Sequence, residues 1–121
     1  SKKAYSVADI YNSEERLAKS SAPVEVKFMG SLAVENYALE QNYPNPFNPS
    51  TTIKYQILEN GMVTLKIFNI LGEEVATLVN GFKNAGRYEV KFDASNLASG
   101  VYVYRLSAGD FNASHKMLLL K

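Results

Sequence analysis

The feature that most constrains the fold is an alternation of apolar and polar side chains, which recurs over the last two-thirds of the chain. A period of two places the apolar side chains of a segment on one face of a β-strand. The alternating sets are Ile53, Tyr55 and Ile57; Val63, Leu65 and Ile67; Tyr88, Val90 and Phe92; and Tyr102, Tyr104 and Leu106. Turn-forming residues separate such segments about every ten residues, a spacing typical of a sandwich. The sequence therefore predicts an all-β, antiparallel β-sandwich of about seven strands.

The last two segments predict a long β-hairpin. Residues 100–107 and 111–120 are both strand-like, and Gly109 lies in the short stretch between them. Glycine adopts turn conformations without steric cost, so this stretch is expected to reverse the chain. The first of the two strands carries apolar residues on both faces, because Val101 and Val103 alternate with tyrosines.

The composition excludes several functional classes. The 121 residues are 46% hydrophobic and 21% charged, which is ordinary for a globular protein. The formal net charge of +1 provides no long-range field that would attract nucleic acid. The chain has no cysteine, so disulfides, thiol nucleophiles and thiolate metal sites are excluded. No apolar run approaches the ~20 residues that a transmembrane helix requires, and we expect neither a nucleic-acid partner nor a transmembrane segment.

Few residues could support catalysis or bind a metal. His115 is the only histidine, and no Asp or Glu lies near it in sequence, so a zinc site is not expected. Asp93 and Ser95 follow a strand, and they favour an Asx or Ser turn over a calcium loop because the EF-hand spacing is missing. Glu73-Glu74 is interpreted as solvated charge in a turn. We expect no catalytic, cofactor-binding or metal-binding residue, and hence a protein that is not an enzyme.

Residues 41–50 form a segment that contains three prolines, which we call the proline segment. Proline fixes φ and favours extended geometry in the residue before it, so a stiff, polyproline-like conformation is predicted. Tyr43 and Phe47 are its large apolar residues, and both are expected to lie against the sandwich and fix the entry of the chain. A polyproline ligand for a partner is the alternative, which the asparagines fit poorly.

Residues 1–38 form an N-terminal extension or linker with weaker signals. A short helix is one interpretation of the first twenty residues, and a flexible linker is the other. Val24, Val26 and Phe28 alternate with other side chains and predict a strand over residues 24–29.

Four blocks in residues 39–121 carry a family likeness. They are LEQNYPNPFNPSTTI at residues 39–53, FNILGEEV at residues 68–75, ASGVYVYRL at residues 98–106, and the ending KMLLLK at residues 116–121. In this order the blocks resemble the C-terminal sorting domain of the type IX secretion system. The resemblance covers the second region of the chain, residues 39–121, and leaves the extension outside it.

The resemblance implies an immunoglobulin-like β-sandwich from an exported protein of Bacteroidetes or related phyla. It implies passage through the periplasm and outer membrane to the cell surface or the medium. The type IX outer-membrane translocon would recognise the domain during this passage. A sortase-like protease removes the domain in many members and attaches the passenger to the surface. By position, the sorting signal is the tail, residues 116–121, which consists of Lys116, Met117, Leu118, Leu119, Leu120 and Lys121. His115 stands where a second basic residue is common in the family.

The short N-terminal extension leaves a second hypothesis open. Only residues 1–38 precede the sorting region, so either the chain is a fragment of a longer exported protein or the domain is itself the product. In the second case we expect a structural subunit of an extracellular filament or surface layer. Val24, Val26 and Phe28 would be the donor strand that adds to a neighbouring sandwich, and pairing with the chain's own sandwich is the alternative.

Overall fold

The computed structural model describes residues 25–30 and 34–121. The helix interpretation for the first twenty residues, and Val24 of the expected donor strand, lie outside these residues. In chain order the strands are β1 (Glu25–Gly30), β2 (Ala38–Leu39), β3 (Ser50–Ile57), β4 (Gly61–Phe68), β5 (Glu74–Lys83), β6 (Gly86–Asp93), β7 (Gly100–Ala108) and β8 (Phe111–Leu119).

The strands form two antiparallel sheets that pack face to face. Sheet A has the order β1-β6-β3-β2, and sheet B has the order β5-β4-β7-β8. The prediction of an all-β, antiparallel sandwich is confirmed. Strand β2 has only two residues, so the longer strands number seven, as the spacing of the apolar segments predicted.

The alternating apolar residues form the core between the sheets. All twelve residues of the four predicted sets are buried. Tyr55 and Tyr88 stack with ring centroids 5.3 Å apart, since their strands pair at this position. Each fully buried side chain of this size stabilises the fold by about 1.5–3 kcal/mol relative to an exposed one. The pattern of the sequence thus becomes one continuous core.

The predicted hairpin joins the last two strands. β7 pairs with β8 along its whole length, from Gly100 opposite Leu119 to Ala108 opposite Phe111. Gly109 occupies the turn with a φ of 60°, in the left-handed region that favours glycine. Strand β8 is therefore an edge strand of sheet B. In the described residues it pairs with β7 on one side, and no strand pairs with its other side.

Candidate functional site

The proline segment covers the outer edge of β8. The backbone N–H of Phe47 donates to the carbonyl of Leu118 at 2.9 Å, and the N–H of Leu120 donates to the carbonyl of Phe47 at 3.0 Å. The Asn45 side-chain oxygen accepts from the Leu118 N–H at 2.9 Å. Gln41 donates to the carbonyl of Lys116 at 2.8 Å. The first and the last of the four sequence blocks are therefore in direct contact.

The two aromatic residues of the proline segment have different positions. Phe47 is 2% exposed, and its ring centroid lies 6.3 Å from that of Phe92. Tyr43 is 80% exposed, so the prediction that it lies against the sandwich is wrong. The predicted polyproline-like run is also wrong, since the chain bends at residues 44–46 and 48–49. The segment is fixed by one core aromatic residue and by hydrogen bonds.

Asn42 holds the start of the segment from inside. Its side chain is 3% exposed and donates to the Pro44 carbonyl at 3.0 Å and to the Thr51 hydroxyl oxygen at 2.9 Å. The Thr51 hydroxyl also donates to the Pro44 carbonyl at 2.8 Å. The Asn42 side-chain oxygen accepts from Gln41 at 2.7 Å. A buried amide without partners would be costly, and these bonds satisfy it.

Two side chains of sheet B hold the chain just before the proline segment. The Tyr104 hydroxyl donates to the carbonyl of Glu40 at 2.6 Å. Burial raises the pKa of the Tyr104 phenol to about 12, above its ordinary value of 10. A ring nitrogen of the half-buried His115 lies 2.7 Å from the carbonyl oxygen of Leu39. His115 thus has a structural contact from strand β8 to the chain before the proline segment.

The six tail residues divide into a buried and an exposed group. Met117 is 1% exposed and Leu119 is fully buried, so these two side chains belong to the core. Lys116, Leu120 and Lys121 are exposed, and Leu118 is half-buried. The Lys121 ammonium donates to the Ser95 carbonyl at 2.6 Å, and its backbone N–H donates to the Ser99 hydroxyl oxygen at 2.9 Å. The end of the tail is therefore fastened to the surface of the sandwich.

A turn after β4 projects two apolar side chains from the end of sheet B. The Asn69 side-chain oxygen accepts from the backbone N–H groups of Leu71 and Glu73, at 2.9 and 3.0 Å. Gly72 has a φ of 83°, which a residue with a Cβ rarely adopts. Ile70 and Leu71 are each 76% exposed as a result. The turn is therefore rigid, although its apolar side chains lie in solvent.

An open groove lies beside this turn on the outer face of sheet B. It encloses about 530 Å³ and is lined by Phe68, Asn69, Ile70, Gly72, Val101, Val103, Arg105 and Lys116. Phe68 pairs with Val103 across the strands, and Val103 pairs with Lys116. The Arg105 guanidinium lies 5.3 Å from the centroid of the Phe68 ring. Every lining residue belongs to the second, third or fourth sequence block.

Sequence reasoning did not find this groove. Its signal was present, because Val101 and Val103 occupy the face of β7 opposite to its buried tyrosines. The outer face of each sheet of a sandwich lies in solvent, so neighbouring apolar residues on that face are candidates for a binding surface. The same signal at Phe68 could be recognised only when the pairing of β4 with β7 was known.

The expected donor strand lies at the edge of its own sheet. Val26 pairs with Val90 in the antiparallel ladder between β1 and β6. The half-buried Phe28 ring lies edge-on to Tyr88, with centroids 5.2 Å apart. In the described residues the segment thus completes sheet A of the same chain. Donation to a neighbouring copy would place this strand in an equivalent position.

The polar groups outside the core have local roles. The Asp93 carboxylate accepts hydrogen bonds from Ser95, including its backbone N–H at 2.9 Å, and these bonds lower the pKa of Asp93. This is the Asx turn that the sequence predicted. A hydrogen bond from Thr77, and then the charge of Lys66 at 3.4 Å, lower the pKa of Glu74. Within residues 25–30 and 34–121, no cluster of His, Cys, Asp and Glu could hold a metal ion.

The same described residues contain no helix that is long and apolar enough to cross a membrane.

Several solved structures are similar to the chain. A conjugative transposon lipoprotein from Bacteroides eggerthii is 5% identical, with a TM-score of 0.43, and the match covers 70% of this chain and 95% of that one. The bacterial hydrophobin BslA is 15% identical, with a TM-score of 0.44, covering 81% and 97%. The endo-β-1,4-mannanase from Thermotoga petrophila is 7% identical, with a TM-score of 0.39, covering 73% and 20%. Structures with TM-scores this low indicate nothing about the function of this chain.

Fold and surface define the class of this molecule as a two-sheet β-sandwich module whose last strand and tail are covered by an upstream proline segment. A search of proteins with curated functions finds no match to it. The family model described as "Secretion system C-terminal sorting domain" matches residues 41–120. The chain belongs to this family, the type IX secretion sorting domains. The sorting domain implies that the type IX machinery exports this protein across the outer membrane, to the cell surface or the medium.

Proposed function

We propose that residues 39–121 act as a non-catalytic sorting signal, which the outer-membrane translocon reads while the sandwich is folded. The observation that carries this proposal is the division of the tail. Met117 and Leu119 are needed for the core, whereas Lys116, Leu120 and Lys121 remain exposed on the same short stretch of chain. A receptor can contact the exposed group without unfolding the sandwich.

The hydrogen bonds of the proline segment support recognition of the folded form. They fix the backbone at Leu118 and Leu120, and a bond to the Ser99 hydroxyl fixes it at Lys121, so the exposed side chains start from a defined backbone before any partner arrives. A preorganised segment loses less conformational entropy on binding than a flexible one. A sortase-like protease that removes the domain after export is part of the same proposal, and its cleavage point would lie before residue 41.

The test of this proposal uses a periplasmic reporter enzyme fused in front of the whole chain, in a bacterium with a type IX system. Leu120→Ser combined with Lys121→Ser removes two exposed tail side chains and the bond from the Lys121 ammonium to the Ser95 carbonyl, and it keeps the hydrogen bonds of the tail backbone. We expect export to fall about tenfold or more, as for the loss of a central binding contact. The thermal unfolding midpoint of the purified chain should change little, because both side chains are exposed.

The matched control is Leu58→Ser combined with Lys54→Ser. It removes the same two residue types from exposed positions at strand β3. Export of the control should equal that of the unaltered fusion. Equal export of the tail variant and the control would contradict recognition through the exposed tail.

A structural role in a filament or surface layer is the second candidate, supported by the position of β1. Strands β1 and β2 lie on opposite edges of sheet A, although only residues 31–37 separate them in sequence. Because β1 is an edge strand, the equivalent strand of a second copy could take its place beside β6. Val24, Val26 and Phe28 would then be the donor residues.

Mass spectrometry of the exported material separates the two candidates. Peptides from residues 41–121 in mature surface material would mean that the sandwich is retained and available for assembly. Their absence, with the passenger present, would mean that the domain is removed after use. A chain that remains monomeric at high concentration in analytical ultracentrifugation would contradict the filament.

A further inference from the structure

We propose that the groove on the outer face of sheet B binds an acidic, apolar protein segment, which belongs to the component of the export machinery that reads the tail. This inference rests on the proposed function and adds to it a second contact surface and the chemistry of its partner. Lys116 connects the two surfaces, because it is the first residue of the tail and also lines the groove. A receptor bound to the tail therefore lies next to the groove.

Within residues 25–30 and 34–121, no segment of the chain occupies the apolar part of the groove. Phe68, Val101 and Val103 form its floor, and Val101 is 40% exposed. The exposed Ile70 forms one wall, and the turn that carries it is held by hydrogen bonds of Asn69. The volume of about 530 Å³ is enough for a few side chains of an extended segment. Rigid walls around an exposed apolar floor are typical of a binding site.

The charge of the groove determines the chemistry of the occupant. Arg105 and Lys116 are its two ionisable lining residues, and both are cations. Neither nearby carboxylate lines the groove: Glu74 pairs with Lys66 at 3.4 Å, and Glu73 accepts from the Asn69 amide at 2.8 Å. The salt bridge of the described residues is the one between Lys66 and Glu74. Neither Arg105 nor Lys116 forms a salt bridge within these residues. A carboxylate of a partner would complement them.

The arrangement of these groups favours a peptide over a single small anion. Arg105 stacks on the floor residue Phe68, so its guanidinium is held beside the apolar surface. A guanidinium can bind a carboxylate through two parallel hydrogen bonds. Aspartate or glutamate next to aliphatic or aromatic residues would therefore fill both parts of the groove at once. Along β7 and β8 the other end of the same sheet face is polar, with Ser107 and Asn112, whereas Met62 and Phe82 form an exposed apolar pair on β4 and β5.

The first part of the test removes the groove charge that is not part of the tail. Arg105→Gln, which leaves every tail residue intact, is compared with Lys54→Gln, which makes the same change in net charge on an exposed residue of sheet A. In the reporter fusion we expect the groove variant to be exported about tenfold less than the control, because desolvated charge pairs contribute more than surface ones. Arg105→Lys should restore part of the export. Equal export of Arg105→Gln and Lys54→Gln would overturn the inference.

The second part identifies the occupant by photocrosslinking in the exporting cells. A photoreactive amino acid replaces Val101 in the groove or, as the control, Asn112 at the polar end of the same face. We expect a crosslink from position 101 to a segment of the export machinery that contains aspartate or glutamate beside apolar residues. Crosslinks from position 101 only to lipid, only to a second copy, or to no partner would each overturn the inference.

The two proposals fail in different ways. If the unaltered fusion is not exported, the proposed sorting function fails. If it is exported and the tail variant is not, while the groove variants behave as their controls, the sorting function stands and the groove inference fails.

Discussion

The proline segment and strand β1 both extend the edge of a sheet, and they do so by different means. β1 pairs with β6 through a regular antiparallel ladder from Glu25 opposite Lys91 to Phe28 opposite Tyr88. The proline segment makes one parallel bridge to β8, between Phe47 and Leu119, and supplements it with side-chain bonds from Gln41 and Asn45. The first contact depends on backbone pairing, and the second depends on particular side chains.

The difference teaches how each edge can be used. A strand held by backbone pairing can be replaced by a similar strand from another copy, because the ladder is not specific for sequence. The proline segment cannot be replaced so easily, because Phe47 is in the core and Asn42 is bonded in a buried position. The edge of sheet A therefore suits exchange between copies, whereas the edge of sheet B suits a fixed surface for recognition.

The largest expected effect tests the anchor of the proline segment. Phe47→Ala should lower the free energy of unfolding by about 3–5 kcal/mol, because it removes a core aromatic side chain and leaves a cavity. Tyr43→Ala is the control in the same segment and should change the stability by less than about 0.5 kcal/mol, since this residue is exposed. Urea denaturation of both variants measures the difference. Similar losses for the two variants would remove the distinction between anchor and surface residue.

An intermediate effect is expected for the buried amide. Asn42→Ala should cost about 1–3 kcal/mol, because the buried Thr51 hydroxyl and the Pro44 carbonyl each lose a hydrogen bond from the Asn42 amide. Asn48→Ala changes the same residue type at an exposed position of the segment, and it should be nearly neutral. Urea denaturation compares the two. If Asn42→Ala were as mild as Asn48→Ala, the entry of the segment would not depend on its buried hydrogen bonds.

The smallest effect is expected for β1. Phe28→Ala should cost about 1–2 kcal/mol, less than a full core deletion, because the ring is half-buried and loses its edge-on contact with Tyr88. Phe82→Ala in β5 is the control, since Phe82 is 47% exposed. Thermal unfolding compares the variants. If Phe28→Ala lowered the free energy of unfolding as much as Phe47→Ala, the edge of sheet A would depend on a side-chain anchor just as the edge of sheet B does.

The core was predictable because its pattern is local. Ile53, Tyr55 and Ile57 alternate within a single strand, and the period of two assigns them to one face without knowledge of any other strand. The same holds for the hairpin of β7 and β8, where Gly109 lies between two strand-like segments. The resemblance of the four blocks also identified the family that the match over residues 41–120 confirms.

The surfaces were less predictable because they depend on which strands become neighbours. The sequence predicts burial for Tyr43 and Phe47 alike. Phe47 enters the core because its backbone lies beside β8, where it bridges to Leu119. The tail was recognised as a unit, yet it divides into core and surface residues because its strand has one inner and one outer face.

The sequence by itself determined the all-β class, the four alternating sets of core residues, the final hairpin and the sorting family, since alternation and sequence blocks are carried by residues close together in the chain. Only the tertiary structure decided that the proline segment covers β8 and that Phe68, Val103 and Lys116 lie side by side in a groove. These residues come from three strands, and strand order depends on the packing of the whole sandwich, which no local pattern records.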